Sequence, residues 1–518
     1  MRVTSLGHAG MLIETTGGSI VCDPWFLPQF LGSWFVFPRN DRLDPELFAQ
    51  VCSPDYLYIS HIHADHLDEQ WLRDHLDKGT TVLLPDFPTG ELERTLRNLG
   101  FHRFLHTKDR EELSLGGSLT IAIHTETSIT DGPGGDSALV VSDGTARIVN
   151  QNDCRTNDLN ALRQHGEVDL HWLQYSGAIW YPMVYEETSE RMRELINEKV
   201  ESQTTRALRY VEAIGARAVV PSAGPPCFLD PDLFGFNLIT GDEATIFSDQ
   251  PRFIDALKQG GHTGILAIPG TCISIENGDL RVEHPMSQKQ IEQIFTNKLE
   301  YLREYQQDWS SWLAQHRASW SKPTAELLDT IKAWWEPLMR SAPTVCDAIG
   351  ANCLLRLGDL DIILDFPSRE VRVWNDEPFA FSFNIQRELV ETVVARRAHD
   401  WSNALFLSCR FTAWRQGPFN EYVYNFFKSL SEERMSRTEA EALRKLSPDR
   451  GGIADETIVI DGYEMQRTCP HRGADLAVFG EVSGDDLVCT LHGWKFDLAT
   501  GTCRNADDRA LRIRQLEA

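Results

Sequence analysis

Four side chains that bind metals lie within six residues near the N-terminus. An apolar run, Tyr56–Ser60, predicts a buried strand that leads directly into His61, His63, Asp65 and His66. Imidazole and carboxylate groups at the end of a strand can surround one or two metal ions. A solvated histidine-rich turn is the alternative, but four ligands at this spacing favour a metal site.

A second set of ligand-type residues lies near the C-terminus. Cys469-x-His471 is followed, after seventeen residues, by Cys489-x-x-His492. Two thiolates can hold one iron while two imidazoles hold the other, which is the ligand set of a Rieske [2Fe–2S] cluster. A structural zinc site would group Cys with Cys and His with His, whereas each loop here pairs one Cys with one His. Such a cluster passes single electrons, so another site must use them.

Chain length and net charge limit the number of domains and the classes of binding partner. A chain of 518 residues is long enough for roughly three to four domains. Its 50 basic and 76 acidic residues give a net charge of −26, which disfavours binding to nucleic acid or to an anionic membrane surface. We also expect no membrane span and no secretory signal. Eleven scattered cysteines fit a reducing cytoplasm, which is the predicted location.

The elements that must position these residues change in character along the chain. Short β-rich runs with intervening helices extend over residues 1–285, and mostly helical patterns extend over 286–446. Tryptophans at helical spacing in this middle segment predict core packing more than a substrate pocket. The charged stretch Glu432–Arg450 predicts a linker, and residues 447–518 are again β-rich.

The motif that begins at His61 resembles the His-x-His-x-Asp-His motif of the metallo-β-lactamase superfamily, and segments 6–10 and 22–25 are similar to its opening strands. The resemblance implies an αββα sandwich in which the first two histidines serve one metal, while Asp65 and His66 serve the second. We therefore predict an α+β chain of three parts. These are a metallo-β-lactamase-like αββα sandwich (1–285), a mostly helical α+β segment (286–446) and a small all-β Rieske domain (447–518).

The same resemblance places further ligands on later strands. A bridging carboxylate is expected at the end of an apolar strand, where this chain has Asp153. The strand before it ends in His124 and Glu126, which alternation places on one face. We favour Glu126 as the third ligand because a hard oxygen suits iron, and His124 remains the competitor. Asp131 and Asp136 are weaker candidates.

The last histidine of the superfamily has no counterpart in the strand-to-loop segment 217–225. His171 could replace it, although a single histidine in a strand is more often a core residue. A site short of imidazole leaves coordination positions for O₂ or substrate. Because Zn²⁺ is redox-inert and cannot use Rieske electrons, we expect one or two non-haem iron ions. The expected iron ligands are His61, His63, Asp65, His66, Glu126 and Asp153.

Segments 149–155, 177–183, 221–224 and 420–427 look like the CMP-N-acetylneuraminic acid hydroxylase family. That family joins a Rieske domain to a metallo-β-lactamase-like domain and oxidises an N-acetyl methyl group on a sugar nucleotide. The resemblance implies electrons from NAD(P)H, passed through an external reductase and a ferredoxin- or cytochrome b5-like carrier. The chain departs from the family in two respects, because its Rieske domain is C-terminal and its loop 131–136 lacks a histidine.

We therefore predict an O₂-dependent monooxygenase that oxidises a small polar substrate such as a sugar nucleotide or an amine, at carbon or nitrogen. A metallo-hydrolase with a redox-sensing Rieske domain and an O₂-reducing electron-transfer protein remain alternatives. If the two centres lie far apart in one chain, electrons must cross between subunits of a homo-oligomer. A basic patch is a candidate docking surface for the carrier, and it would contain Arg504, Arg509, Arg512 and Arg514.

Overall fold

The first part of the chain contains two β-sheets. The computed structural model describes residues 1–129, 132, 134–238, 245–276, 278–446, 456–505 and 509–516. The strands of the two sheets are β1 (Arg2–Gly7), β2 (Gly10–Thr15), β3 (Gly18–Cys22), β4 (Tyr56–Tyr58), β5 (Thr81–Leu84), β6 (Phe104–His106), β7 (Leu113–Gly116), β8 (Leu119–Glu126), β9 (Asp136–Ser142), β10 (Arg147–Asn152), β11 (Leu170–Gln174), β12 (Ala218–Ser222), β13 (Cys272–Glu276) and β14 (Asp279–Glu283).

The two sheets face each other across one core. Their strand orders are β14-β13-β1-β2-β3-β4-β5-β6 and β12-β11-β10-β9-β8-β7. Successive side chains of a strand point to opposite faces. The inward-facing apolar residues of both sheets, such as Ile13 of β2 and Val141 of β9, therefore meet in a buried cluster.

Helices cover the outer faces of both sheets. They are α1 (Pro45–Cys52), α2 (Glu69–His75), α3 (Glu91–Asn98), α4 (Leu159–Arg163), α5 (Ser189–Ile214) and α6 (Gln250–Gln259). The first three pack on the first sheet and the others on the second. Helix α5 begins where Thr188 caps the Arg191 amide and ends at Gly215 in the left-handed conformation. The predicted αββα sandwich is confirmed.

The middle segment packs helices around a small sheet with the order β17-β16-β15-β18-β19. Its elements are α7 (Gln288–Thr296), α8 (Lys298–Ala318), α9 (Leu327–Ser341), α10 (Pro343–Ile349), β15 (Asn352–Arg356), β16 (Asp361–Asp365), β17 (Glu370–Val373), β18 (Phe381–Ile385), α11 (Arg387–Ala395), α12 (Trp401–Ala404), β19 (Phe411–Arg415), α13 (Glu421–Phe427) and α14 (Glu432–Leu446). Trp335 and Trp401 lie fully buried in a core that also contains Trp34 and Phe228 of the sandwich. The sandwich and the middle segment therefore share one apolar core.

The linker predicted for Glu432–Arg450 is wrong over the part that the structure describes, because α14 occupies Glu432–Leu446. Its buried residues include Met435, Thr438 and Ala442, which recur at helical spacing on one face. Arg434 and Glu439 of this helix are buried as well, and the density of charge in the sequence obscured the helical pattern. Residues 447–450 lie outside the described part.

The C-terminal part contains two three-stranded sheets, β20-β21-β25 and β22-β23-β24. Its elements are β20 (Thr457–Ile460), β21 (Tyr463–Gln466), α15 (Leu476–Phe479), β22 (Gly480–Ser483), β23 (Asp486–Cys489), β24 (Trp494–Asp497) and β25 (Ile513–Gln515). It packs on α5 of the sandwich, where the rings of Tyr210 and Phe479 lie 5.7 Å apart. Among the described residues, no helix combines the length and the apolar character needed to cross a membrane.

Candidate metal centres

The histidine-rich loop lies at the carboxyl end of β4, beside the ends of β3 and β10. Two overlapping groups of potential ligand atoms meet there, and within each group all atoms lie within 4.8 Å of one another. One group contains His61, His66 and Asp153, and the other contains His8, Asp65 and His66. The structure thus brings Asp153 to the loop as the sequence predicts, and it adds His8.

The atoms that face this centre fit a metal ion. His61 Nε2, His66 Nε2, Asp65 Oδ1 and Asp153 Oδ1 are buried and have no hydrogen-bond partner among the described residues. A buried polar atom without a partner is costly, so four of them in two overlapping groups of ligand atoms indicate a site for a cation. Two imidazole nitrogens and two carboxylate oxygens match the donor set of non-haem iron as well as that of zinc.

Neighbouring side chains orient the two ring ligands. His66 Nδ1 donates to Asp23 Oδ2 (3.1 Å), and His61 Nδ1 lies 3.0 Å from Ser60 Oγ and 3.3 Å from Asp136 Oδ1. The serine itself is held by Asp23, to which its hydroxyl donates (2.8 Å). These contacts engage Nδ1 of each ring, which leaves Nε2 available as the ligand atom.

The charges around His66 are strongly negative. Burial opposes the imidazolium form, yet Asp65, Asp23 and Asp153 raise the pKa of His66 to about 10. Burial likewise opposes the Asp65 carboxylate, but His66 and His8 lower its pKa to about 2. Three acidic side chains around one ring form a pocket that favours a cation.

The other predicted ligands occupy different positions. His63 stacks edge-on to His61, with ring centroids 4.5 Å apart, but neither group of ligand atoms includes it. His124 instead lies 2.8 Å from His165 through its Nε2 atom. His171 is fully buried in β11 and lies 2.9 Å from Gln151. Asp131 lies outside the described residues.

Glu126 lies at the end of β8, directly opposite Asp136 on β9. Its carboxylate lies 3.9 Å from the guanidinium of Arg472 and is not in either group of ligand atoms. Asp136 reaches His61 Nδ1 instead of the open face of the site. The role of Glu126 as an iron ligand therefore stays a prediction.

The Cys/His loops of the C-terminal part bring two thiols and two imidazoles together. Cys469, Cys489 and His471 are buried, and the rings of His471 and His492 lie 5.0 Å apart. His471 Nδ1 and His492 Nδ1 have no hydrogen-bond partner among the described residues. The Cys489 thiol and the backbone N–H groups of His471 and Arg472 lower the pKa of Cys469, which favours the thiolate that binds iron. This donor set fits a [2Fe–2S] cluster.

Backbone turns and ring packing fix these loops. Gly473 and Gly493 both have left-handed φ angles, and a Cβ atom at Gly493 would lie 3.0 Å from Ser202 Oγ of α5. Glycine therefore allows the second loop to approach the sandwich closely. His471 stacks on Trp494 with ring centroids 3.9 Å apart, which fixes the plane of that imidazole.

Contacts join the cluster loop to the second sheet of the sandwich within one chain. Arg472 Nη1 donates to His492 Nε2 (3.1 Å), and its Nη2 lies 3.9 Å from Glu126 Oε1. Asn157, four residues after Asp153, donates to the Arg472 carbonyl (3.0 Å). The cluster loop therefore lies against the end of the sheet that contains β8 and β10, and Asp153 follows β10.

Three family models match separate parts of the chain. A Beta-lactamase superfamily domain matches residues 2–222, an Rv3818-like, SCP2-like domain matches 327–444, and a Rieske [2Fe-2S] domain matches 460–515. A protein of Mycolicibacterium smegmatis named as a Rieske 2Fe-2S iron–sulfur protein is 43% identical over 100% of both chains. The protein of the same description named Rv3818, from Mycobacterium tuberculosis, is 44% identical over 99% of both. The chain belongs to this family of Rieske iron–sulfur proteins.

More distant similarities cover less of the molecule. Cytidine monophosphate-N-acetylneuraminic acid hydroxylase of Cricetulus griseus is 33% identical over 99 residues, or 18% of this chain and 16% of the hydroxylase. CmlA, a diiron beta-hydroxylase from Streptomyces venezuelae, is 17% identical over 55% of this chain and 54% of its own, with a TM-score of 0.36. An overlap that low supports no conclusion about function.

The middle segment of this Rieske protein holds the histidine-rich loop in place. The Asn403 side chain accepts from the Ala64 amide (3.1 Å) and donates to the Ile62 carbonyl (3.3 Å). Nearby, Arg434 donates to Asp400 (2.8 Å) from a position at which only 1% of its side chain is exposed. Because these contacts come from the middle segment, the sandwich does not build the site alone.

The arginines proposed to dock a carrier do not form an open patch. Arg509 is buried against Glu421, so its assignment to a docking surface is wrong. Arg504 pairs with Asp486 (2.9 Å) and Asp497 (2.6 Å), and Arg514 pairs with Glu464. The sequence shows the arginines but not the acidic neighbours that neutralise them.

Two residues of the candidate metal site are not indicated by the sequence patterns. His8 follows β1 and donates to Asp65 Oδ2 (3.0 Å), and Asp23 follows β3 and orients His66. Both residues lie in segments that resemble the opening strands of the superfamily. Their position in these segments is the sequence signal that could have identified them. Neither residue lies near the histidine-rich motif in the sequence, and only strand pairing brings them to it.

Proposed function

We propose that this Rieske protein is an O₂-dependent monooxygenase that acts on a small polar substrate. The observation that supports this best is the position of Arg472 between cluster ligand His492 and Glu126. Glu126 lies opposite Asp136, whose carboxylate lies 3.3 Å from His61 Nδ1. A centre that supplies electrons next to a buried metal site suits reductive chemistry more than hydrolysis. The partial similarity to a hydroxylase favours the same class.

Two separate sets of residues would hold the two cofactors. Cys469, Cys489, His471 and His492 would hold the [2Fe–2S] cluster, while His61, His66, Asp65 and Asp153 would hold iron, with His63 and Glu126 as further proposed ligands. When bound, the cluster would supply single electrons and the iron would supply O₂ activation. Ser60, Asp23 and Asp136 would keep the ligand rings oriented, and burial of the site would exclude water.

The proposal extends to partners. Because a Rieske cluster needs a source of electrons, we propose NAD(P)H as that source, with an external reductase and a ferredoxin- or cytochrome b5-like carrier. The contacts through Arg472 support electron transfer within one chain, so a homo-oligomer is not required for it.

An isotope experiment tests the proposal with a mixture of candidate substrates. Reduced holoprotein is incubated with a small-molecule cell extract under ¹⁸O₂, and mass spectrometry identifies products that gain the label. We expect labelled products with the wild type, with Cys503→Ala and with His102→Ala, since Cys503 and His102 lie outside both centres. Cys469→Ala and His66→Ala should give none.

Other outcomes would replace the proposal with one of its alternatives. Products that form without reductant and without label would indicate hydrolysis. Consumption of O₂ with no labelled product would indicate an O₂-reducing protein. Labelled product from Cys469→Ala would show that the cluster does not feed the reaction.

A further inference from the structure

A cavity of about 280 Å³ lies between the Rieske loops, α5 and the middle segment. Both cluster histidines, His471 and His492, line it. Arg155 also lines it, and this residue lies two positions after the proposed bridging ligand Asp153. The cavity therefore adjoins the cluster and the loop that leads away from the metal site.

The walls of this cavity are positively charged in a chain whose net charge is −26. Four cations line it, namely Arg155, Lys199, Arg415 and Lys428, together with one carboxylate, Glu421. The Glu421 carboxylate is already engaged by Arg509 and lies 3.7 Å from Lys445. The lining side chains thus carry more positive than negative charge.

Two of these cations lack an acidic partner. Among the described residues, no carboxylate lies within ion-pair distance of Lys199 or Arg415. Burial, together with the charges of Arg155 and Arg206, lowers the pKa of Lys199 to about 7. The Lys199 side chain is half-buried, and a partly desolvated ammonium that lies among other cations without an acidic partner favours an anion.

Aromatic rings form the rest of the wall. The Arg415 guanidinium lies 5.5 Å from the ring of Tyr181, 5.4 Å from Tyr185 and 5.8 Å from Phe419. Trp180 and Trp494 also line the cavity. Flat apolar surfaces beside fixed cations suit a planar ring that carries a negative group. The volume lies near the lower end of the range of about 300–1,000 Å³ for small-molecule sites, which favours a single ring.

We propose that this cavity binds the substrate, and that the substrate is a compact ring compound bearing an oxyanion, either carboxylate or phosphate. Lys199 and Arg415 would bind the oxyanion, while the aromatic wall would pack against the ring. The assignment of the bound compound as substrate rests on the proposed oxygenase function. The binding of such an anion does not depend on that function and can be measured separately.

Calorimetric titration of the oxidised holoprotein without O₂ tests the site. The probes are benzoate, phenyl phosphate, the neutral benzamide and the larger adenosine monophosphate. We expect benzoate or phenyl phosphate to bind at least tenfold more tightly than benzamide, and the stronger of the two identifies the oxyanion. The nucleotide should bind no more tightly than phenyl phosphate.

Variants assign the binding to the cavity. Lys199→Met and Arg415→Met should each weaken the better anion at least tenfold, whereas Lys289→Met, an exposed position on α7, should leave its affinity unchanged. The same anion should shift the electron paramagnetic resonance spectrum of the reduced cluster in wild type and Lys289→Met, and not in Lys199→Met. The spectrum provides a readout at His471 and His492 that binding elsewhere would not affect.

Four outcomes of these titrations would contradict the proposal. Equal affinity for benzamide and benzoate, no binding of any probe, tighter binding of the nucleotide, or an equal loss in Lys289→Met would each contradict it. Because these titrations need neither O₂ nor turnover, their failure is distinct from failure of the oxygenase proposal. That second failure would appear as missing ¹⁸O product with anion binding intact.

Discussion

Arg472 lies between cluster ligand His492 and Glu126, a further proposed ligand of the iron site. Its Nη1 atom lies 3.1 Å from His492 Nε2, and its Nη2 atom lies 3.9 Å from Glu126 Oε1. Arginine suits this position because its charge is permanent and its donors are rigidly arranged. The contact joins the cluster loop to the sheet that contains β8 and β10, and Asp153 follows β10.

We expect Arg472→Met to slow reoxidation of the reduced cluster by O₂ at least tenfold, because the bridge between His492 and Glu126 is lost. The cluster itself should still assemble, since its four ligands are unchanged. Stopped-flow absorbance measures the rate, and iron analysis measures the cluster. Arg504→Met, on the surface of the same domain, is the control, and a wild-type rate in Arg472→Met would contradict the prediction.

The lowered pKa of Lys199 predicts that the stability of the folded protein depends on pH. Its pKa in the folded protein is about 7, below its ordinary value of 10.5. Between these values the unfolded chain keeps a proton that the folded chain loses, so stability rises with pH across this window. Below pH 7 the buried charge carries its full cost.

We therefore expect Lys199→Met to stabilise the protein by about 1–3 kcal/mol at pH 6, after allowance for solvent screening. The gain should shrink from pH 7 upward and vanish near pH 10.5. Thermal unfolding of both proteins at several pH values measures it, with Lys289→Met as the control. A difference that stays constant with pH would argue against a depressed Lys199 pKa.

The ligands that sequence could predict are those that lie close together along the chain. His61, His66 and the Cys/His loops carry their spacing in the sequence, and Asp153 was found from its place after an apolar strand. His8 lies 57 residues before Asp65, and no local pattern marks it as a partner. The pairing of β1, β2, β3 and β4 brings such residues together, and sequence patterns define strand order poorly.

At the scale of elements, α14 ties the middle segment to the sandwich. Arg434 donates to Glu91 of α3 (2.9 Å) and to Asp400 (2.8 Å), and all three side chains are buried. The sequence suggested a linker here because its charges are dense. Buried ion pairs between distant segments are invisible in a sequence, so the same charges that suggested solvent exposure in fact form an interface.

We expect Arg434→Met to destabilise the protein by about 3–5 kcal/mol, because it leaves two buried carboxylates without their partner. Arg444→Met, an exposed position on the same helix, should change stability by less than about 0.5 kcal/mol. Urea unfolding followed by tryptophan fluorescence measures both. Similar losses in the two variants would mean that the buried network does not hold α14 in place.

Across the whole molecule, the sandwich, the middle segment and the Rieske part do not have separate cores. One apolar cluster contains Trp34 and Trp335, and another contains Tyr210 and Phe479. Along the described residues, two β-rich parts lie on either side of a middle part that contains helices and a five-stranded sheet. Composition along the chain could not reveal the shared cores, because contacts between distant segments leave no periodic signal.

If the histidine-rich loop binds a metal ion as we propose, the shared cores predict that the ion stabilises the whole protein. Without a cation, Asp23, Asp65 and Asp153 remain buried around one ring, and Asn403 couples their loop to the middle segment. Anaerobic removal of non-cluster metal should therefore lower the midpoint of thermal unfolding, and ferrous iron should restore it. A ligand whose free concentration is one hundred times its dissociation constant raises the free energy of unfolding by about 2.7 kcal/mol.

His66→Ala tests this coupling, because His66 belongs to both groups of ligand atoms. We expect this variant to keep about two cluster irons, to lose the additional iron, and to show no rise in the unfolding midpoint with ferrous iron. His102→Ala, an exposed histidine of the same domain, should respond as the wild type does. Because the cluster ligands lie on separate loops, loss of all iron in His66→Ala would show that the two centres assemble together. An unaltered midpoint in the wild type after metal removal would mean that the buried carboxylates do not need a cation.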